Sequence, residues 1–204
     1  MEEKDEKSYE SLNDIGVSLF AEAKYEEALS YFEKAMKINN SEISLYYNKA
    51  SCEENLGRYN EAIQDYNKGV EINPKNIKIL YSLFKLYKIK GEFEEALDVI
   101  DKIIIFQPYN NSTYIKERDS LQDLQNESKR KEILMENEEF LEAEEVCNNL
   151  LKECPQSHLI QNDYIKILLS KEKYGKIRSF IKEKVCEENK KTHMYFNYYL
   201  GVLF

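Results

Sequence analysis

The chain has 204 residues and a formal net charge of −9, with 42% hydrophobic and 33% charged residues but only six Gly and three Pro. This composition suits helices and calls for no strands, and an acidic chain without a large basic face argues against nucleic acid as the main partner. The longest apolar run, Ile103-Ile104-Ile105-Phe106, is too short to cross a bilayer, so no membrane is expected among the partners.

The start, MEEKDEK, has no apolar stretch of the kind a secretory signal requires, and the chain therefore reads as soluble and cytoplasmic. Residues 1–8 are expected to be a disordered tail. From Tyr9 onward one phrase recurs. Ala28, Ala62 and Ala96 each follow a Glu and stand 34 residues apart, and a period of that size marks a solenoid of repeated units. In each unit a small residue (Ala23, Gly57, Gly91) turns the chain between two helices, and an aromatic two positions later (Tyr25, Tyr59, Phe93) packs on the turn. Glu-Ala then opens the second helix. The Ala lies where two helices approach closely, and an apolar residue four positions on (Phe32, Tyr66, Ile100) fills the next layer at helical spacing. Pro74 and Pro108 end second helices, because Pro lacks the amide and restricts the residue before it. The first three units are thus Tyr9–Glu42, Ile43–Asn76 and Ile77–Asn110.

After Pro108 the phase breaks. The next Glu-Ala pair, Glu142-Ala143, follows Ala96 by 47 residues, 13 more than one period. From Ser112 to Glu139 there is no Gly or Pro, which predicts one long helix over about 112–139, roughly 40 Å in length. Its start caps the third unit with Tyr114, Leu121 and Leu124, giving a first block over 9–123. The polar segment QNESKRKE, residues 125–132, is expected to stand in solvent. A second block, 124–204, then holds unit four (Leu124–Ser157) and unit five (His158–Lys191). In unit five Lys173-Tyr174 forms the turn, and Ile177 takes the Ala position, which should widen the helix crossing. The final THMYFNYYLGVLF places Tyr195, Tyr198-Tyr199 and Val202 as in the first helix of a sixth unit. Being apolar nearly all round, it implies either that the chain continues or that residues 192–204 self-associate with another subunit.

The charge is unevenly spread: −6 over residues 1–42, −1 over 43–76, 0 over 77–110, −6 over 111–157 and +4 over 158–204. The C-terminal lysines read as a solvated outer face. Cys52, Cys147, Cys154 and Cys186 show no zinc-ligand spacing, and only His158 and His193 are present, so no metal, cofactor or catalytic pair is implied and the protein is read as a non-enzyme. Cys147 occupies the apolar position held by Phe32 and Tyr66, which burial explains.

The recurring phrase resembles the tetratricopeptide repeat (TPR), a 34-residue helix-turn-helix with an aromatic, Leu-Gly, Tyr, Ala, Phe and Pro at set places. The first helices carry Leu12, Ile15-Gly16 and Leu19 in one unit, Tyr46, Lys49-Ala50 and Glu53 in the second, and Leu80, Leu83-Phe84 and Tyr87 in the third. The resemblance implies an all-α helix-turn-helix solenoid, a right-handed superhelix of about five repeats plus the first helix of a sixth. In that family the first helices line a concave groove that binds a protein or peptide segment. By register the peptide groove here would be Asn13, Val17 and Phe20 in unit one, Tyr47, Asn48 and Ser51 in unit two, and Lys78, Tyr81, Lys85 and Lys88 in unit three.

A known use of such a groove is a carboxylate clamp for the acidic tail of a heat-shock chaperone. Asn48 and Lys78 match its positions, but Asn13 stands where Lys is expected, Val17 where Asn is, and Ser82 where Arg is. The layout of three units, a long helix and a second block also resembles the TPR region of DnaJ-type co-chaperones. In those, the endoplasmic-reticulum member binds unfolded clients through an apolar patch and the cytosolic member docks chaperone tails. No His-Pro-Asp triplet occurs, so the chain itself has no J-domain function. The expectation is a protein-interaction scaffold, the client- or chaperone-binding part of a co-chaperone. The alternative is an assembly subunit that associates through its apolar last helix.

Overall fold

The computed structural model describes residues 8–109 and 111–187, the last four by their backbone alone. Among these residues the chain is all-α, with ten helices in consecutive pairs: α1 (Tyr9–Ala21) and α2 (Tyr25–Ile38), α3 (Ile43–Asn55) and α4 (Tyr59–Ile72), α5 (Ile77–Lys90) and α6 (Phe93–Phe106), α7 (Ser112–Glu136) and α8 (Phe140–Glu153), α9 (His158–Ser170) and α10 (Tyr174–Glu187). The predicted sixth-unit helix at 192–204 and the side chain of Cys186 lie outside the described residues.

Local chemistry sets the ends of these helices. Side-chain caps open first helices: Ser8 Oγ accepts from the Ser11 N–H at 3.3 Å, Asn76 Oδ1 from Ile79 at 3.1 Å and Ser157 Oγ from Ile160 at 3.4 Å. Within each pair one residue takes the left-handed conformation: Ala23 (φ 59°), Gly57 (72°), Gly91 (72°), Glu138 (61°) and Glu172 (54°). The N–H of the following residue reaches back five positions, as from Arg58 to the Glu53 carbonyl (2.8 Å) and from Lys173 to Leu168 (2.9 Å), closing a Schellman turn. At the last two turns a Glu, where the earlier units have Ala or Gly, bears the left-handed conformation. Helices α4, α6 and α8 stop two residues before Pro74, Pro108 and Pro155.

Contacts divide the chain into two compact units, the first being the residues to Leu86 with Glu95–Lys116, the second Tyr87–Glu94 with the residues from Glu117 on. In the first unit Ala28, Phe32, Ala62, Tyr66, Ala96 and Ile100 are all fully buried, so the positions that repeat every 34 residues are the ones that form the core. Gly16 permits the α1–α2 approach, since a Cβ there would lie 2.6 Å from the Phe32 ring.

The second unit packs Ala143, Cys147, Ile165, Ile167, Leu168 and Ile177 in its core, each fully buried. The α5–α6 turn belongs to it: Gln156 N–H donates to the Ile89 carbonyl at 3.3 Å, and Lys88 Nζ lies 3.8 Å from Glu153. One expectation fails here. The polar segment 125–132 does not stand in solvent throughout, because Gln125, Ser128 and Lys131 are buried on the same α7 stripe as Leu121 and Leu134. Lys131 is fully enclosed, and its Nζ donates to Asp163 Oδ2 of α9 at 2.6 Å. A carboxylate 32 residues away thus removes the need for water around the ammonium.

Candidate functional site

All the predicted groove residues except Lys88 lie in the first unit, on α1, α3 and α5. Successive turns of α3 put Tyr47, Asn48, Ser51 and Glu54 along one side at helical spacing. Asn48 Nδ2 donates to Asn13 Oδ1 at 2.9 Å and so ties α3 to α1. Ser51 Oγ donates to the Tyr47 carbonyl (2.8 Å) and lies 3.2 Å from the Tyr66 hydroxyl, which donates to Glu54 Oε2 at 3.1 Å. Burial pushes the Tyr66 hydroxyl well above the ordinary tyrosine range, so it stays a donor at any physiological pH.

Two ammonium groups sit on aromatic faces. Lys78 Nζ is 3.9 Å from the centre of the Tyr47 ring, which itself lies 5.7 Å from the Tyr66 ring. Lys85 Nζ is 5.8 Å from the Tyr81 ring and 3.9 Å from Glu54. The two cations differ in consequence: Glu54 offsets the charge of Lys85, while Lys78 is exposed and, among the described residues, has no carboxylate partner. Tyr81 continues the aromatic surface to Tyr114 at 5.8 Å. Val17 is 45% exposed and adds an apolar methyl pair to the α1 side.

Not every predicted residue joins this set. The Phe20 ring packs edge-on against Tyr25 at 5.3 Å, and Lys88 belongs to the second unit with Glu153. Conversely, register placed Tyr66 in the core and passed over Glu54, although Glu54 lies three residues after Ser51 on the same face. Behind the face, Lys49 Nζ is held by Glu53 Oε1 (2.6 Å) and by Asp65 Oδ2, which fixes α3 to α4. Burial keeps the Glu53 carboxyl above its ordinary range even beside Lys49.

Among the described residues the arrangement offers two tyrosine rings, one cation without a carboxylate partner and a side-chain amide pair, which is recognition chemistry. Cys52, Cys147 and Cys154 are buried thiols, pushed up to about 12 by burial, and are inert as nucleophiles. Among the described residues no group of three or more His, Cys, Asp or Glu is placed to hold a metal ion, and no helix is long and apolar enough to cross a membrane.

Residues 10–41, 43–76 and 65–98 each match a model of the tetratricopeptide repeat. No curated protein matches the chain. Among solved structures, the TPR domain of P58(IPK) aligns with TM-score 0.73 and 17% identity over 91% of this chain and 52% of that one, so the chain spans about half its length. The first TPR of Spaghetti (RPAP3), bound to the HSP90 peptide SRMEEVD, aligns at 0.53 and 24% identity over 58% of this chain and 94% of that one. The second TPR domain of human RPAP3, in complex with the HSP70 peptide SGPTIEEVD, aligns at 0.50 and 20% over 55% and 92%. At these identities the likeness is one of fold.

Proposed function

We propose that this chain, a tetratricopeptide repeat protein, is a cytoplasmic interaction scaffold that binds extended segments of unfolded client proteins along α1, α3 and α5 of its first unit, as the client-binding part of a co-chaperone. The observation that carries this reading is the charge state of the face. Docking a terminal carboxylate together with acidic side chains requires several unpaired cations, since each desolvated carboxylate must be paired. Of the cations on this face, Lys78 is exposed and, among the described residues, has no carboxylate partner, Lys85 is shared with Glu54, and the clamp positions 17 and 82 hold Val and Ser. The face instead offers the Tyr47 and Tyr81 rings and Val17, which favour apolar and aromatic side chains. The RPAP3 tetratricopeptide repeats are bound to HSP90 and HSP70 peptides, which supports peptide binding by this fold.

Fluorescence anisotropy with two probes tests the reading: a reduced, alkylated globular protein that stays unfolded, and the peptide SRMEEVD. The unfolded probe should bind at least about tenfold more tightly, and Tyr47→Ala/Tyr81→Ala should weaken it more than Lys78→Ala does. Preference for SRMEEVD, lost on Lys78→Ala, overturns the client reading in favour of chaperone-tail docking.

A further inference from the structure

In the second unit three ammonium groups converge on one carboxylate. Glu144 of α8 accepts from Lys171, from Lys173 at 2.7 Å and from Lys176 at 3.1 Å. Lys171 and Lys173 lie in the α9–α10 turn and Lys176 in the first turn of α10. Among the described residues Glu144 is the carboxylate that each of the three contacts. Like charges gathered this closely repel, and one carboxylate neutralises one of them. Even with Glu172 counted, lysines outnumber carboxylates at the turn.

The hydrogen-bond count has the same imbalance. Each ammonium brings three donors, and a carboxylate has about four acceptor positions, so most of the N–H groups find no acceptor in Glu144. The unused donors are reachable: the side chains of Lys173 and Lys176 are 32% and 60% exposed, while Glu144 is only 10% exposed beneath them. The positive end of α10 adds to the field. Residues 158–183 carry six Lys and Arg against three Asp and Glu in a chain of net charge −9. Burial works against ionisation of Glu144, yet hydrogen bonds from the three lysines pull its pKa down to about 2, so it is ionised and competes for their donors at neutral pH.

We propose that the lysine cluster over Glu144 is a second docking point, which takes an acidic segment of a partner protein on Lys173 and Lys176, with Glu144 as the built-in competitor for the same donors. Charge complementarity selects the occupant: an acidic segment supplies the acceptors that the cluster lacks, whereas a neutral or basic one leaves the lysines mutually repelled. This site is independent of the aromatic face of the first unit.

The test measures binding of a fluorescein-labelled decapeptide of alternating Glu and Gly by anisotropy at low salt. Lys173→Ala/Lys176→Ala should weaken binding by about tenfold or more. Glu144→Gln, which uncharges the competitor and keeps its shape, should tighten binding by several fold, a gain that a merely structural ion pair would not give. Tyr47→Ala and Lys78→Ala in the first unit should leave it unchanged, and rising ionic strength should abolish it. Circular dichroism confirms that each variant is folded. Unchanged binding in the lysine variant, or unchanged or weakened binding in a folded Glu144→Gln, would overturn the proposal. Loss on Lys78→Ala would also overturn it, by assigning the acidic peptide to the first unit.

Discussion

Gly57 and Gly91 hold the same place in successive repeats, share φ 72°, and differ in what surrounds them. A Cβ at Gly57 would meet nothing within 4 Å, whereas one at Gly91 would lie 2.6 Å from Ser157 Oγ, 3.0 Å from its Cβ and 3.4 Å from Ile160 Cδ1. Alanine in the left-handed conformation costs about 1–2 kcal/mol. The stiffer unfolded chain returns about 0.4–1 kcal/mol of that. Gly57→Ala should therefore lose no more than about 1.5 kcal/mol. At Gly91 the overlap adds about 1–3 kcal/mol. Ser157 cannot yield freely, because it caps α9 through Ile160 N–H, and a lost cap costs about another 1 kcal/mol. Gly91→Ala should thus cost about 2–5 kcal/mol. Urea denaturation followed by circular dichroism measures both. In a double-mutant cycle, Ser157→Gly should recover most of the excess in Gly91→Ala and none of the loss in Gly57→Ala. Equal losses at the two glycines, or no coupling to Ser157, would refute the packing of the α5–α6 turn on the start of α9.

Further consequences concern buried and repeated positions. Lys131→Met should cost about 1–3 kcal/mol, because Asp163 loses its buried partner and keeps the exposed Lys166, 3.1 Å from its Oδ1, while Lys131→Met/Asp163→Leu should regain much of it; denaturant midpoints of the two variants decide. Glu144 ionises at about 2 in the folded chain against an ordinary value of 4.5, so its contribution is complete above pH 4.5 and disappears as pH falls to about 2. Glu144→Gln should destabilise at pH 7 by about 2–3 kcal/mol and flatten the stability profile over that range, read from melts in a pH series. Ala62→Leu, at a fully buried helix crossing, should lose about 1–3 kcal/mol, against little change for leucine at exposed Asn126 in the same assay.

How much of this was legible in the sequence depends on how far apart the interacting residues lie. The 34-residue period, the turn residues Ala23, Gly57 and Gly91, and the core positions Phe32, Tyr66 and Ile100 are local or periodic, and the structure places them as the spacing requires. The buried stripe of Gln125, Ser128 and Lys131 was not legible, because polarity alone points to solvent and the compensating Asp163 sits on a helix two elements later. Nor did spacing foretell that Glu138 and Glu172 adopt the left-handed turn conformation, since the Schellman closure imposes it from the flanking hydrogen bonds. At the candidate face, register put Tyr47, Asn48 and Lys78 together. It could not show that Glu54 offsets the charge of Lys85 or that Asn13 is engaged by Asn48, because those contacts depend on side-chain reach between helices.

Extended client segments are proposed to lie on the α1, α3 and α5 face of the first unit. The most direct test of this placement is an NMR titration of the isotope-labelled chain with the unfolded probe, following the Asn13 and Asn48 side-chain amides and the backbone amides of Tyr47, Ser51, Lys78 and Tyr81. Within the first unit, saturable shifts concentrated at those groups are expected. Shifts confined to other helices, or none at probe concentrations where anisotropy reports binding, would contradict it.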